Sequence, residues 1–106
     1  MKSTEPVADP VVLDGPTAYR VAEIFRALSD PSRIRIISAL SAGEVSVGAL
    51  AEAVGISESA VSHQLRGLRQ MRLVRARKAG RQVYYAMDDE HIADLYQRGL
   101  DHALHG

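Results

Sequence analysis

The sequence predicts a mainly α-helical fold with a β-hairpin wing (α+β), which is a winged helix-turn-helix. Three observations predict it. Apolar residues recur at helical spacing in successive segments up to about residue 71. The period then changes to two in "VRARKAGRQVYYAM", as it does in paired strands. A last helical segment follows from about Asp88 or Asp89, which are acids suited to the positive end of a helix.

The composition fits one soluble domain. The chain has 106 residues, 46% of them hydrophobic and 25% charged, and no cysteine. No apolar run approaches the ~18 residues that a membrane span needs, and "MKSTEPVADP" lacks the apolar stretch of a signal peptide. We therefore expect a cytoplasmic protein with no membrane partner, no disulfide and no thiolate site.

The first elements are an arm and two helices. Residues 1–16 are rich in proline and show no period, so they predict a flexible N-terminal arm, with the folded domain over 17–106. "TAYRVAEIFRALSD" predicts a helix whose apolar stripe is Val21, Ile24, Phe25 and Leu28. Asp30 and Pro31 then predict the N-cap and first residue of a second helix that ends near Gly43.

A helix-turn-helix is predicted in "ALAEAVGISESAVSHQLRGL". Gly55 would end the third helix and Ser57 would cap the fourth, which we term the reading helix. In such units the N-terminal part of the second helix enters the major groove of DNA. The candidates for contact on or near its exposed side are Ser57, Glu58, Ser59, Ser62, His63, Gln64, Arg66 and Arg69.

The positive charge of the chain is concentrated next to this unit. Seven of the thirteen basic residues fall between Arg66 and Arg81, with no acid among them. A one-signed block of this kind is the electrostatic footprint expected for nucleic acid. The wing, with its turn predicted at Lys78–Arg81, adds Arg75, Arg77, Lys78 and Arg81 as candidates for DNA binding. On this interpretation, Arg77→Ala lowers the salt dependence of DNA binding by about one phosphate contact.

The closing segment, "DEHIADLYQRGLDHALHG", holds three of the four histidines. His91 and His102 share a helix face but lie roughly 16 Å apart, whereas zinc–nitrogen bonds are about 2 Å long. Two copies of the helix, packed antiparallel about a twofold axis, would bring Asp89 and His91 of one chain to His102 and His105 of the other. The sequence thus predicts a homodimer with antiparallel C-terminal helices at the interface and two symmetric metal sites.

The same arrangement predicts how these helices pack and which ion they bind. Ile92, Leu95 and Leu100 would pack between the helices, and Gly99 would let them approach closely. Three imidazoles with one carboxylate suit tetrahedral Zn(II), with Co(II) as a mimic.

The chain resembles the ArsR/SmtB family of winged-helix metal-sensing repressors from about residue 19 to the end. The segments "LSDPSRIRIISAL" and "SVGALAEAVGISESAVSHQLRGLRQMRLVRARKAGRQVYY" carry the resemblance, together with the register of Asp89, His91, His102 and His105. It is similar to the branch that senses zinc through the C-terminal helix. One departure is Ser46, which stands where many relatives have the cysteine of a second, thiolate-rich site.

The resemblance implies a repressor that binds double-stranded operator DNA and releases it when zinc binds, so that metal efflux or resistance genes are expressed. It also implies that His102 bonds a backbone carbonyl near Arg72. An alternative remains open: a winged-helix regulator that responds to a non-metal ligand or a partner protein, with vestigial histidines. An enzyme is not expected, because no phosphate loop, nucleophile–base pair or cofactor fingerprint is found, and no small-molecule substrate is expected either.

Overall fold

The computed structural model describes residues 7–106 and contains five helices and a three-stranded sheet in that range. The elements in chain order are α1 (Gly15–Leu28), α2 (Pro31–Leu40), β1 (Val45–Ser46), α3 (Val47–Val54), α4 (Glu58–Gln70), β2 (Val74–Ala79), β3 (Gln82–Met87) and α5 (Glu90–His105). The predicted winged helix-turn-helix is therefore confirmed, with α4 as the reading helix. No helix within residues 7–106 is long and apolar enough to cross a membrane.

The first helix begins earlier than the sequence predicted. α1 starts at Gly15, two residues inside the predicted arm, because Asp14 takes the N-cap position and Pro16 fits the first turn, where its missing N–H costs no hydrogen bond. Residues 7–14 form neither helix nor strand and are exposed. Residues 1–6 of the predicted arm lie outside the described residues.

The second helix starts where the sequence predicted it. The Asp30 carboxylate accepts a hydrogen bond of 2.9 Å from the backbone N–H of Ser32, and Pro31 is the first helical residue. α2 ends at Leu40, three residues before Gly43, and its last turn is closed by a bond from the N–H of Ser41 to the carbonyl of Ser38.

The turn of the helix-turn-helix has the predicted chemistry. Gly55 ends α3 with a φ of +82°, and the N–H groups of Gly55 and Ile56 both donate to the carbonyl of Ala51, at 2.8 and 3.2 Å. The Ser57 hydroxyl then accepts a bond of 3.1 Å from the N–H of Ala60 and caps α4. These contacts fix the angle between α3 and the reading helix.

The sheet contains one strand more than predicted, and its hairpin loop is shorter. Strands β2 and β3 pair antiparallel through Ala79 opposite Gln82, so the loop is only Gly80 and Arg81. The turn predicted at Lys78–Arg81 is wrong at its first two residues, because Lys78 and Ala79 belong to β2. The prediction that the glycine of this turn supplies a positive φ is confirmed, since the φ of Gly80 is +61°. The additional strand, β1, is too short to give a periodic signal, and it pairs with β3 to give the order β1-β3-β2.

One core joins the helices to the sheet. Its buried members include Leu40 of α2, Leu50 of α3, Leu65 of α4 and Tyr85 of β3. Ile92 of α5 is only 4% exposed and belongs to this core. The prediction that Ile92 packs between the α5 helices of two protomers is therefore wrong, because its own protomer already buries it.

Replacing Gly55 by alanine is expected to lower the free energy of unfolding by about 1 kcal/mol, because the left-handed backbone is strained for any residue with a Cβ. The added methyl group would meet no atom within 4 Å, so backbone strain is the whole effect. Gly67→Ala, inside α4 and equally unobstructed, is the matched control and should stabilise by up to about 1 kcal/mol. Urea denaturation of both variants measures the difference, and equal shifts of the same sign would contradict it.

Candidate functional site

The reading helix separates an apolar face from a polar one. Val61, Leu65 and Leu68 point into the core. The candidate contacts along the rest of the helix are exposed or half-buried: Ser59, Ser62, His63, Gln64, Arg66 and Arg69. The hydroxyl of Ser57, also a candidate, is already engaged in capping the helix.

A cleft joins the start of the reading helix to the tip of the wing. Ser62 of α4 and Arg81 of the hairpin loop line it together, with Glu58 and Gly48, and its volume is about 370 Å³. The structure thus brings together two predicted contacts that are nineteen positions apart in the sequence.

A second groove lies between α2 and the reading helix. His63, Gln64 and Arg66 line it opposite Arg33, a residue that sequence reasoning did not single out. The count of basic residues pointed only to the block from Arg66 onward, whereas Arg33 joins that block through the packing of α2. The side-chain oxygen of Gln64 is enclosed and has no hydrogen-bond partner within residues 7–106.

Arg77 of the wing is exposed, but its guanidinium is bonded to an acidic side chain of the same chain. Its Nε and Nη2 donate to the two carboxylate oxygens of Glu44, at 3.0 and 2.7 Å. Its guanidinium carbon lies 4.8 Å from the centre of the Tyr84 ring. The hydrogen bonds from Arg77 lower the pKa of Glu44 below its usual value, against a smaller opposing effect of desolvation.

The other three wing cations differ in whether they have a bonding partner within the protein. Arg75 donates to the carbonyl of Met87 at 2.9 Å and lies 3.7 Å from the carboxylate of Asp88, so it belongs to the base of the wing. Within residues 7–106, Lys78 and Arg81 form no ion pair, and both are exposed at the tip. Two of the four predicted wing cations, Arg75 and Arg77, thus have carboxylate partners, whereas none is found for Lys78 and Arg81 within residues 7–106.

The first two predicted metal ligands lie together at the start of α5. The carboxylate of Asp89 accepts a bond of 2.8 Å from the backbone N–H of His91 and so caps the helix. The same oxygen lies 3.0 Å from the ring Nδ1 of His91, whose side chain is 98% exposed. Desolvation alone would raise the pKa of Asp89, but these hydrogen bonds outweigh it and lower the pKa.

The other two predicted ligands lie at the far end of the same helix. His102 and His105 are exposed in the last turn of α5, roughly 16 Å and 21 Å from His91 along the helix axis. Within residues 7–106 no three histidine, aspartate or glutamate side chains of one chain are grouped closely enough to hold a metal ion. Their rings make no hydrogen bond in that range, so the predicted bond from His102 to a carbonyl near Arg72 stays a prediction.

The start of α5 is joined directly to the end of the reading helix. The N–H of Asp88 donates to the carbonyl of Leu73 at 3.0 Å, two residues after the C-cap of α4. Between them Arg72 has a φ of +61°, which turns the chain sharply from α4 into the sheet. Arg72 and Arg75 share a cleft with Asp89 and His91. We call this contact between residues 72–75 and 87–91 the joint.

An apolar groove of about 360 Å³ runs between α1, α2 and α5. Its lining contains no charged side chain and consists of Phe25, Leu28, Ile34, Leu95, Tyr96, Gly99, Leu100 and Ala103. Phe25, which belongs to the predicted apolar stripe of α1, is 53% exposed there. The groove includes Leu95, Gly99 and Leu100, which the sequence predicted for packing between protomers.

Comparison with known proteins gives one consistent result. A family model described as "Bacterial regulatory protein, arsR family" matches residues 30–76. A transcriptional repressor SmtB homolog from Synechocystis is 52% identical over 93 residues, which cover 88% of this chain and 70% of that protein.

Two solved structures are similar over most of the chain. The antimony-specific transcriptional repressor AntR has a TM-score of 0.81 and 31% identity, covering 94% of this chain and 92% of that one. A homodimeric winged helix-turn-helix DNA-binding domain from Mycobacterium bovis has a TM-score of 0.75 and 30% identity, covering 86% and 88%.

Proposed function

Since this chain belongs to the ArsR family of bacterial regulatory proteins, we propose that it is a metal-responsive transcriptional repressor. It binds double-stranded operator DNA as a homodimer and releases it when Zn(II) or Co(II) binds at two sites shared by the C-terminal helices. Release allows metal efflux or resistance genes to be expressed. The family is one of regulators, so the expectation that the chain is not an enzyme is confirmed.

The polar face of α4 and the tip of the wing support DNA binding. In this proposal Ser59, Ser62 and His63 face base edges, where hydroxyl and imidazole groups exchange hydrogen bonds in the major groove. Gln64 must turn its enclosed side-chain oxygen outward to join them. The phosphate contacts come from Arg66, Arg69, Lys78 and Arg81, which are exposed cations.

The apolar groove supports a homodimer. A groove without charged lining, with a half-exposed phenylalanine at its edge, is a surface that water solvates poorly and a second protomer covers well. The similar domain from Mycobacterium bovis is homodimeric. Leu95, Gly99 and Leu100 keep their predicted role in the packing, whereas Ile92 does not.

The start of α5 carries the metal part of the proposal. Ligands about 2.0 Å from a tetrahedral ion lie about 3.3 Å from each other. The Asp89 oxygen and the His91 Nδ1 already lie 3.0 Å apart, and the ring is open to solvent. This separation is close to one edge of a zinc site, and metal binding would replace the hydrogen bond between the two side chains while the backbone N–H of His91 keeps its bond to Asp89.

His102 and His105 of the partner subunit would complete the set, because no second pair of donors lies within reach in one chain over residues 7–106. Three imidazoles and one carboxylate match the preference of Zn(II) and Co(II), and the absence of cysteine disfavours ions that need thiolates. When bound, the ion would supply a fixed tetrahedral link between two protomers.

Release of DNA on metal binding depends on geometry, because the added positive charge would by itself favour tighter DNA binding. A set with one carboxylate and three neutral imidazoles has a net positive charge with a divalent ion, which by itself would strengthen DNA binding. The joint supports a geometric route: a shift of Asp89 moves Asp88, which is bonded to Leu73 at the end of the reading helix. Spacing between the two reading helices of a dimer must match successive major grooves, so a small change lowers affinity.

Titrating Zn(II) into the purified dimer bound to fluorescent operator DNA tests the proposal. We expect anisotropy to fall as the site fills, with DNA affinity weakened by a factor in the range of about 5 to 150 that is usual for such coupling. Because coupling is reciprocal, DNA must weaken zinc affinity by the same factor. If the complex persists at saturating zinc, a regulator that answers to another ligand or to a partner protein replaces this proposal.

A further inference from the structure

Three elements of the sheet are linked by side chains on one face. The strand order is β1-β3-β2, so β2 has no backbone contact with β1. Arg77 of β2 stands opposite Tyr84 of β3 and crosses its ring to reach Glu44, the residue that precedes β1. Arg77 thereby ties the outer strand of the wing to the far edge of the sheet. We call Glu44, Arg77 and Tyr84 the clamp.

The backbone alone holds the wing weakly at this edge. β1 has two residues and pairs with β3 only through Val45 opposite Tyr85 and Ser46 opposite Tyr84. A two-residue ladder permits twisting of the hairpin about its base. The bidentate carboxylate contact restrains that motion, since a planar guanidinium that makes two parallel hydrogen bonds has a fixed orientation.

We infer that Arg77 is a positioning residue that sets the angle of the wing through Glu44, and not a phosphate contact. The inference rests on the proposed DNA binding and revises the role that the charge block predicted for Arg77. The Nε and Nη2 donors of Arg77 bond the two carboxylate oxygens of Glu44, and one flat face of its guanidinium lies over Tyr84, so the orientation of the group is fixed from within the protein. Phosphate contact then falls to Lys78 and Arg81 at the tip, which form no ion pair within residues 7–106.

The two roles of Arg77 predict opposite effects of Glu44→Gln. If Arg77 bound phosphate, Glu44 would compete with DNA, and neutralising it would strengthen binding and steepen its salt dependence. If Arg77 positions the wing, neutralising Glu44 loosens the clamp and weakens binding. The sign of the change therefore identifies the role.

Operator affinity as a function of salt is measured for Glu44→Gln, Arg77→Gln, the double variant and the control Glu52→Gln. Glu52 is an exposed acid of α3, for which no ion pair is found within residues 7–106. We expect each clamp variant to weaken binding by about two- to five-fold, the range of exposed ion pairs, with an unchanged salt slope. The double variant should lose no more than either single one, and Glu52→Gln should not weaken binding.

Tighter binding by Glu44→Gln, or a slope reduced by about one in Arg77→Gln, would overturn the inference. A second measurement does not depend on any variant: the Arg77 Nε–H resonance in the free protein and in the DNA complex. It should remain protected from exchange and unshifted in the complex, whereas a shift on binding DNA indicates phosphate contact and overturns the inference. The unaltered protein is measured alongside the variants. If it fails to bind operator DNA, the proposed function is wrong, and this outcome is distinct from a failure of the inference about Arg77.

Discussion

The variant His105→Ala is expected to bind operator DNA within about twofold of the unaltered protein and to retain it at saturating zinc, where the unaltered dimer loses affinity by about 5- to 150-fold. His105 lies in the last turn of α5, far from the reading helix, and its ring makes no hydrogen bond within residues 7–106. Its removal therefore costs the fold only the small favourable interaction of a histidine with the helix C-terminus. Loss of one of four ligands, in contrast, opens the proposed site.

The matched control is His63→Ala, which removes the one histidine that lies outside α5. His63 is exposed on the reading helix, so this variant should weaken operator binding while zinc still causes release. The two variants thus separate DNA affinity from metal response. Anisotropy titrations with and without zinc measure both, and Co(II) absorption spectra report the geometry of the site. If His105→Ala abolishes dimer formation or DNA binding, the residue has a structural role; if release persists in full, His105 is not a ligand.

The variant Phe25→Asp is expected to convert the dimer to monomers at concentrations where the unaltered protein is dimeric, with a dimer dissociation constant raised by about 30-fold or more. Phe25 borders the apolar groove between α1 and α5, and about half of its side chain is exposed in the protomer. An aspartate there must either lose its hydration in the interface or prevent its closure. The protomer itself should stay folded, because this ring is outside the buried core.

Operator binding should fall with the dimer, since a monomer reads one half-site and loses the gain of simultaneous contact. Val11→Asp is the control: Val11 is 97% exposed in the segment before α1 and does not line the groove. Sedimentation velocity measures the mass of each variant, and circular dichroism checks the fold. A Phe25→Asp protein that remains dimeric and binds operator DNA normally would show that the groove is not the interface.

The parts of the fold that the sequence predicted well are those fixed by local chemistry. The caps at Asp30 and Ser57 and the left-handed Gly55 depend on residues within four positions of each other, and all three were predicted. The errors concern features that depend on packing between residues far apart in the sequence. β1 has only two residues and exists because β3 offers it partners some forty positions away. The pattern of apolar residues in α5 does not show whether Ile92 faces the core or a second protomer. The position of the helix in the structure shows that Ile92 is buried in the core.

The same distinction applies to the candidate site. The charge block identified the cations of the wing, but a count of charges does not reveal their partners. Glu44 lies thirty-three positions from Arg77, so no local pattern connects them. Arg33 likewise joins the basic surface only because the fold places it across a groove from His63 and Arg66. The pairing of Asp89 with His91 was predictable, because a capping residue and the second residue of a helix always lie close together.

The length of α5 has a consequence for sensitivity. A helix of sixteen residues is about 24 Å long, and the start of α5 is joined to the end of the reading helix through the bond from Asp88 to Leu73. A displacement of about 2 Å at the C-terminal end of this helix tilts its axis by about 5°. For a given displacement, the tilt angle decreases as the helix becomes longer. The number of residues between the two pairs of ligands therefore sets how strongly metal binding tilts α5. Deleting four residues from α5, roughly one turn, would rotate His102 and His105 by about 40° relative to His91 and would also shorten the helix by about 6 Å.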